Sequence, residues 1–325
     1  MQLEIARRDW LLKEPFTISR GTMTTADAVI VTLREGDVVG RGEAYGIIYE
    51  GETPDSIVAQ IESVRPAIEA GVDRIALLDL LPIGGARCAV DCALWDLEAK
   101  RSAQPAWQMA GIGALRDVET AFTIGMRSIE DVRATAARFA DFPLLKLKVG
   151  RENPLATIAA ARAGAPSSRF IVDPNQSWSA ADVIAMADQL AELGVVLLEQ
   201  PVPVDDDGGL RGFRGPVAIC ADELVHDRSD LAKAEGKYSH INIKLDKAGG
   251  LTEALALASA ALAQGYGLMV GCMAGSSLAM APAHLVAQLC DYVDLDGPLL
   301  QAEDWSPAMI YRAGRLTPPE PALWG

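Results

Sequence analysis

Hydrophobic and polar residues alternate in three short stretches near the start of the chain, and apolar residues then recur at helical spacing. The alternation predicts strands at residues 3–10, 28–33 and 38–44. The wider spacing after them predicts helices at residues 54–70 and 86–100. Because the strands come first and the helices follow, we expect a small α+β domain.

From about Val118 the pattern changes to short apolar strands that alternate with longer alanine-rich helices, which is typical of a parallel sheet covered by helices. The predicted strands are residues 119–124, 144–149, 169–173, 195–199, 217–222, 240–244, 267–270 and 291–294. Eight apolar strands favour a closed barrel, since the edge strands of an open sheet would be less apolar.

The remaining segment, residues 299–325, is rich in Pro and Trp and has no further strand–helix unit, so we expect it to fold back on the first domain. The predicted organisation is therefore an α+β domain over residues 1–115, a barrel over residues 116–298 and a returning segment over residues 299–325.

Acidic residues end three successive predicted strands of the barrel: Asp173, Glu199 and Asp222. Catalytic groups of barrel enzymes lie at these strand ends. Three converging carboxylates would repel one another unless a cation lay among them, and oxygen-only ligands favour Mg²⁺. The alternative is that each acid caps the helix after its strand, but capping does not require a carboxylate at all three ends.

Lysines occupy the inward face of two predicted strands that lie opposite each other in an eight-stranded barrel. Lys146 and Lys148 share one face of the second strand, and Lys244 ends the sixth. Burial and neighbouring cations are expected to lower the pKa of these amines and make them usable as bases. A lysine whose stem lies on the surface with its ammonium in water is the alternative for any one of them.

A cation that holds a substrate carboxylate, with one base on each side of the neighbouring carbon, suits the formation and reprotonation of an enediolate. The sequence thus predicts an enzyme that takes a proton from the carbon beside a carboxylate and returns it to the opposite face.

Composition and charge exclude several classes of binding partner and metal site. The net charge is −15 with no cluster of basic residues, which argues against nucleic acid and anionic membranes as partners. The five cysteines form no Cys-x-x-Cys pair and the three histidines no ligand cluster, so we expect a reducing cytoplasm and no structural zinc. The sequence has no basic leader and no apolar run of about 20 residues, and we interpret it as unprocessed and not membrane-spanning.

Several motifs together resemble the muconate-cycloisomerase-like branch of the enolase superfamily over nearly the whole chain. They are Lys146-Leu147-Lys148-Val149-Gly150, Asp173-Pro174-Asn175-Gln176, Glu199-Gln200-Pro201, Ala221-Asp222-Glu223 and Ile241-Asn242-Ile243-Lys244 with Gly249-Gly250 behind it. The resemblance implies an α/β fold, a modified TIM barrel (β/α)7β with an α+β N-terminal capping domain over its mouth. It also implies Lys148 and Lys244 as the two acid/base residues, Lys146 as an aid at the substrate carboxylate, and Asp173, Glu199 and Asp222 as Mg²⁺ ligands.

Candidate substrate contacts lie on the last two strands, the first strand and the N-terminal domain. Asp294-Leu295-Asp296 resembles the pair of carboxylates with which dipeptide epimerases hold the α-ammonium of the substrate, and two carboxylates facing one way recognise a cation well. A solvated turn before Gly297 is the alternative.

Further positions resemble the same subgroup. Cys272 and Met273 follow the seventh strand as in dipeptide epimerases, and Arg20, in a loop over residues 16–25, is similar to the arginine that pairs with an acidic substrate side chain in Ala-Glu epimerases. Thr123 falls where a hydroxyl of this subgroup contacts substrate, although a buried strand threonine is equally compatible with the sequence.

The favoured hypothesis is an isomerase: a Mg²⁺-dependent dipeptide epimerase that inverts the α-carbon of the C-terminal residue, with L-Ala-D/L-Glu as the first candidate substrate. The alternatives are an N-acylamino acid racemase or o-succinylbenzoate synthase of the same superfamily, whose substrates lack a free ammonium, and a non-catalytic ligand-binding scaffold. Barrels of this type often form homo-oligomers, and no sequence feature sets a subunit number.

Overall fold

The computed structural model describes residues 1–325, and its N-terminal part is a three-stranded antiparallel sheet followed by helices. The strands, in sheet order, are β1 (Gln2–Ile18), β2 (Gly21–Glu35) and β3 (Val38–Ala44). The helices are α1 (Pro54–Ser63), α2 (Arg65–Glu69), α3 (Arg74–Leu80), α4 (Gly85–Ser102) and α5 (Ala106–Met109). A short 3₁₀ helix, Ile48–Glu50, precedes α1.

Two glycines of β3 allow α4 to pack directly on the sheet. A Cβ at Gly40 would lie 2.3 Å from the Ala93 carbonyl, and one at Gly42 would lie 2.2 Å from the Ala89 carbonyl. No other residue fits such a close approach of helix and strand backbones.

Two local predictions for this part were wrong. The single helix predicted over residues 54–70 is broken at Val64, because Pro66 has no N–H to donate and would clash with the preceding turn of a continuous helix. The loop predicted over residues 16–25 is instead the end of a hairpin: β1 extends to Ile18, β2 begins at Gly21, and Arg20 lies in the turn between them.

The second part is the predicted parallel sheet of eight strands, each followed by a helix or loop on its outer side. Its strands run in chain order through the sheet: β5 (Phe122–Ile124), β6 (Leu144–Lys148), β7 (Arg169–Asp173), β8 (Val195–Glu199), β9 (Ala218–Ala221), β10 (His240–Ile243), β11 (Gly267–Gly271) and β12 (Tyr292–Asp294). The helices between and after them are α6 (Ile129–Arg138), α7 (Pro154–Gly164), α8 (Ala180–Glu192), α9 (Leu231–Ala234), α10 (Leu245–Ala248), α11 (Leu251–Ala263), α12 (Ser277–Ala287) and α13 (Gly297–Leu300), with 3₁₀ turns at Asp207–Leu210 and Arg228–Asp230.

The first and last strands of this sheet meet and close the barrel. The N–H of Ala121 donates to the Val293 carbonyl at 2.8 Å, and the N–H of Leu295 donates to Oγ1 of Thr120 at 3.0 Å. The strand predicted over residues 119–124 is divided here, because its first part, β4 (Val118–Glu119), pairs with the C-terminal hairpin β13 (Tyr311–Arg312) and β14 (Arg315–Leu316). The enolase-like barrel with an N-terminal capping domain is thus confirmed.

Side chains of the barrel strands divide as the alternating pattern predicts. A layer of six buried side chains fills the interior: Ala121, Leu144, Ile171, Leu197, Cys220 and Met269. Leu145, Leu147 and Ile243 point the other way and belong to the large core between strands and helices. Lys146 and Lys148 follow Leu144 on its side of β6, so the strand geometry places both amines inside the barrel.

The C-terminal segment contacts α4 of the N-terminal part. The indole N–H of Trp324 donates to the Cys92 carbonyl at 3.0 Å, and the N–H of Gly325 donates to Oδ1 of Asp96 at 2.7 Å. The exact division at residues 115 and 298 stays a prediction. No helix in the chain combines the length and apolarity that crossing a bilayer requires.

Buried carboxylates join the capping domain to the barrel. Glu43 of β3 accepts from the N–H of Ser276 at 2.7 Å, and Asp91 of α4 accepts from the N–H of Thr252 at 3.0 Å. In the opposite direction, Asp246 of α10 accepts from the N–H groups of Tyr45 and Gly46. These bonds hold the turn after β3 over the barrel mouth.

Candidate active site

The three predicted acidic residues end three adjacent strands and are fully buried. Asp173 ends β7, Glu199 ends β8, and Asp222 follows β9, with at most 1% of each residue exposed. Because β7, β8 and β9 are neighbours in the sheet, the carboxylates converge at the barrel mouth.

Three lysine ammonium groups lie among these carboxylates. Nζ of Lys146 is 2.7 Å from Glu199 and 3.4 Å from Asp173, and Nζ of Lys148 is 2.5 Å from Asp173. From the other side of the barrel, Nζ of Lys244 is 2.7 Å from Asp222 and 3.8 Å from Glu199. β6 and β10 are separated by three strands on one side, so Lys148 and Lys244 face each other across the mouth.

The ammonium groups decide the ionisation of two of the acids. Burial acts to raise the pKa of Asp173, but Lys148 and Lys146 outweigh it and lower that pKa to about 2. At Asp222 burial is likewise outweighed, here by Lys244 and Lys247, and the pKa lies well below its usual range. At Glu199 burial and the charge of Asp173 prevail and raise the pKa to about 7.

The expected lowering of the pKa is wrong for Lys146 and Lys244. Burial acts to lower the pKa of Lys244, but the carboxylates of Asp222 and Glu199 outweigh burial and raise it. The same balance raises the pKa of Lys146, where Asp294, Glu199 and Asp173 oppose burial. The charges nearest to these two ammonium groups are carboxylates and not other cations. The alternation along a strand does not reveal the sign of the neighbouring charges.

The donor set fits a hard divalent cation. No three acidic, histidine or cysteine side chains are arranged to coordinate one metal ion, because each acid is turned toward a lysine. Oε2 of Glu199 and Oδ1 of Asp222 are nevertheless buried, and each faces a lysine ammonium at 2.7 Å, that of Lys146 and that of Lys247. Buried carboxylate oxygens from three adjacent strands are the chemistry that Mg²⁺ prefers. Asp173, Glu199 and Asp222 would hold it.

Two buried residues that orient these acids were not predicted from the sequence. The ammonium of Lys247 lies 2.7 Å from Oδ1 of Asp222, and the side-chain amide of Gln200 accepts from the N–H of Asp222 at 2.9 Å. Lys247 follows β10 by four residues, and the short helix α10 returns its side chain to the barrel interior. A strand pattern with period two cannot place a residue beyond the strand.

The two acids of the last strand lie side by side beneath Thr123. The hydroxyl of Thr123 donates to Asp294 at 3.2 Å, its N–H donates to Asp296 at 2.6 Å, and Lys146 donates to the second oxygen of Asp294 at 2.8 Å. Both acids are buried, and burial together with the charge of Asp294 raises the pKa of Asp296 to about 7. A solvated turn is therefore excluded, and the pair is poised to gain from a cation placed between its members.

One cavity of about 430 Å³ joins these groups. Every predicted catalytic and substrate-contacting residue lines it: Arg20, Thr123, Lys146, Lys148, Lys244, Cys272, Met273, Asp294 and Asp296. The three predicted metal ligands do not line the cavity themselves. Each contacts one of the lysines that do.

The hairpin turn between β1 and β2 covers the mouth of this cavity. Nη1 of Arg20 contacts Oε1 of Glu223 at 2.7 Å, and its guanidinium lies 4.9 Å from the centre of the Tyr49 ring. The N–H of Met126, after β5, donates to the Thr17 carbonyl at 2.7 Å and ties the hairpin to the barrel. The hydroxyl of Tyr49 is buried without a hydrogen-bond partner, and no sequence motif pointed to this residue.

The fold and the site together define a member of the enolase superfamily. Residues 127–321 match the model of the enolase C-terminal domain-like family, and residues 1–111 match the mandelate racemase / muconate lactonizing enzyme N-terminal domain. The chain belongs to this family.

Its relatives within the family narrow the comparison. The chain is 42% identical to L-Ala-D/L-Glu epimerase of Escherichia coli, with 97% of this chain and 98% of that protein covered. It is 37% identical to N-acetyl-D-glutamate racemase of a Pseudoalteromonas species, with 91% and 95% covered.

A solved structure agrees closely with the fold. An enolase family member of Agrobacterium tumefaciens with homology to dipeptide epimerases, determined with sodium and L-Ala-L-Glu bound, superposes with a TM-score of 0.97 at 43% identity, and 99% of both chains is covered. The dipeptide epimerase of Enterococcus faecalis, complexed with Mg and L-Leu-L-Tyr, gives a TM-score of 0.91 at 29% identity, with 98% and 97% covered.

Proposed function

We propose that this protein is a Mg²⁺-dependent dipeptide epimerase that inverts the α-carbon of the substrate's C-terminal residue. The single observation that supports it most is the placement of two lysines on opposite sides of one cavity, each beside an acid of the buried trio. Lys148 lies 2.5 Å from Asp173, and Lys244 lies 2.7 Å from Asp222.

The paired carboxylates of Asp294 and Asp296 would hold the ammonium of the dipeptide. They are buried, they line the cavity, and their charges repel, so a cation between them relieves the repulsion. With its ammonium held there, the carboxylate end of a dipeptide would extend toward the lysines and the three buried acids. Lys146 connects the two ends, because its ammonium contacts both Asp294 and Glu199.

When bound at Asp173, Glu199 and Asp222, Mg²⁺ supplies positive charge that stabilises the substrate carboxylate and the further negative charge that follows proton removal. One lysine removes the α-proton, and the other donates a proton to the opposite face of the enediolate carbon. Neutralising the carboxylates of Asp222 and Glu199 removes the interactions that favour the charged form of Lys244, which makes its free amine accessible.

The C-terminal residue of the substrate is proposed to carry an acidic side chain, as in L-Ala-L-Glu and L-Ala-D-Glu. Arg20 lines the cavity and has one inner partner, Glu223, which an incoming carboxylate could replace. The relatives named for L-Ala-D/L-Glu and bound to L-Ala-L-Glu support this substrate. We also propose a cytoplasmic location, which five unpaired cysteines support.

A second candidate is racemisation of an N-acylamino acid, which the similarity to N-acetyl-D-glutamate racemase favours. Such a substrate has no ammonium and would leave Asp296 without a cationic partner, since Lys146 contacts only Asp294 of the pair. The cost of two buried, adjacent carboxylates favours the dipeptide.

Proton exchange in D₂O tests both candidates. The enzyme with Mg²⁺ and L-Ala-L-Glu should give α-deuterated product of both configurations at the glutamate, detected by NMR. Exchange with N-acetyl-L-glutamate but not with L-Ala-L-Glu would replace the first candidate by the second. No exchange with either substrate, or with a panel of other dipeptides, would exclude the proposed activity.

A further inference from the structure

A second cavity of about 360 Å³ lies beside the first, between β1, the end of α6 and the C-terminal segment. An aromatic cluster forms its floor: the rings of Phe122 and Phe139 are stacked at 3.6 Å, and Phe142 meets both edge-on. Its polar lining includes three cationic side chains and one acidic side chain. The cavity therefore combines an apolar floor with charged walls, which is typical of a site for a small amphipathic ligand.

The cations of this cavity exceed its anions. Lys13, Arg127 and Arg138 line it together with a single acid, Glu14. The two arginines share that acid at long range, 3.7 Å from Arg127 and 3.9 Å from Arg138. Nε of Arg127 is buried and has no hydrogen-bond partner. In a protein of net charge −15, this local excess of positive charge stands out and favours an anion.

The wall between the two cavities consists of Phe16, Thr123 and Leu300, which line both. Thr123 also donates to Asp294 and Asp296, the proposed ammonium site. Gly125 lets the Phe16 ring lie close to the barrel, since a Cβ there would come within 3.2 Å of the ring. Phe16 belongs to the part of β1 where pairing with β2 is irregular, between Leu11 and Phe16.

We propose that the second cavity is a subsite for an acidic side chain on the first residue of the dipeptide. This inference rests on the proposed function, because Asp294 and Asp296 then fix the ammonium of that residue next to Thr123. The side chain on the same carbon extends from there past Phe16 and Leu300. Its carboxylate would accept from Arg127, whose Nε has no other acceptor, and would compete with Glu14 for the cations.

Calorimetric binding of two dipeptides that differ only in charge tests the subsite: L-Glu-L-Glu and L-Gln-L-Glu, each with Mg²⁺ present. We expect the native protein to bind L-Glu-L-Glu about tenfold more tightly, the difference that a hydrogen bond to a charged group provides. Arg127→Gln should bring the ratio of the two dissociation constants close to one. Glu14→Gln should raise the ratio, because it removes the competing carboxylate. The control Arg101→Gln removes an exposed ion pair with Glu35 outside both cavities and should leave the ratio unchanged.

The outcomes separate the two proposals. Equal affinities for the two dipeptides in the native protein, or a ratio that neither Arg127→Gln nor Glu14→Gln changes, would overturn the subsite. Binding with the expected ratio but without α-proton exchange in D₂O would overturn the proposed activity and keep the subsite. If neither dipeptide binds while L-Ala-L-Glu still exchanges its α-proton, the subsite fails and the proposed activity stands.

Discussion

The ammonium of Lys247 lies 2.7 Å from Oδ1 of Asp222 and also donates to the Asp222 carbonyl. Its other protons go to the carbonyls of Val225, at 2.9 Å, and Asn242, at 3.1 Å. The residue is fully buried, so this one cation connects the end of β9, the loop after it and β10. It therefore fixes the position of a proposed Mg²⁺ ligand from behind.

Removing this cation should destabilise the protein strongly. Lys247→Met would leave the Asp222 carboxylate and backbone carbonyls without their buried partner, and we expect a loss of about 3–5 kcal/mol in the free energy of unfolding. The control Lys233→Met breaks a pair with Asp230 in which the lysine is exposed, and it should cost at most about 1 kcal/mol. Urea unfolding of both variants measures the difference. Similar losses in the two variants would show that Lys247 has no special role.

Substituting either proposed base should abolish proton transfer on one face of the substrate α-carbon, and the face should differ between the two variants. Lys148→Ala and Lys244→Ala should each lower the epimerisation rate by about 10²–10⁴, the usual contribution of a positioned acid or base. Because β6 and β10 are on opposite sides of the barrel, each variant should still exchange the α-proton of one dipeptide diastereomer in D₂O and lose the other. NMR of L-Ala-L-Glu and L-Ala-D-Glu followed separately measures this. Exchange of both diastereomers by either variant would contradict the two-base arrangement.

The proposed ammonium site should depend on charge. Asp294→Asn keeps the shape of the side chain but removes one anion, and it weakens contacts with Lys146 and Thr123. We expect kcat/KM for L-Ala-L-Glu to fall at least about tenfold, mainly through KM, because a charge-assisted hydrogen bond is lost. Steady-state kinetics measures it. If the variant lost activity with N-acetyl-L-glutamate and not with the dipeptide, the ammonium assignment would be wrong.

Arg20 should set the preference for an acidic C-terminal side chain. In Arg20→Gln the ratio of kcat/KM for L-Ala-L-Glu to that for L-Ala-L-Gln should fall about tenfold, since the charged hydrogen bond to the substrate carboxylate is gone. Arg101→Gln is the matched control, because its ion pair with Glu35 lies on the exposed surface. A ratio that stays the same in Arg20→Gln would mean that Arg20 serves only Glu223.

The junction between capping domain and barrel should weaken as pH rises. Burial raises the pKa of Glu43 from 4.5 to about 7, against hydrogen bonds from Ser276 and Trp10. A carboxyl group whose pKa is higher in the folded state contributes full stability below its unfolded pKa and loses it as pH rises through the folded pKa.

Between pH 4.5 and 7 the native protein should therefore lose up to about 3 kcal/mol relative to Glu43→Gln, which cannot titrate. Urea unfolding of both proteins across this range, at constant Mg²⁺, gives the difference. A difference that does not change with pH, or that grows in favour of the native protein as pH rises, would contradict the raised pKa.

Local sequence patterns predict the barrel and the polar side chains at its mouth. Alternation along β6 placed Lys146 and Lys148 inside, and the positions of Asp173 and Glu199 at strand ends followed from where each apolar run stops. These conclusions hold because period-two geometry and the common direction of parallel strands are local rules. The helix break at Val64 also follows a local rule, because a proline such as Pro66 interrupts a continuous helix. A prediction from hydrophobic spacing alone does not take this into account.

Which charged groups contact one another depends on how distant parts of the chain pack. The partners of Lys244, the buried cation Lys247 behind Asp222 and the approach of Arg20 to Glu223 join residues far apart in the chain. The sign of a pKa shift depends on the nearest charges and on burial, and neither is encoded in a short stretch of sequence. The same holds for the second cavity, whose walls come from β1, α6 and the C-terminal segment, because a cavity exists only once separate elements have packed.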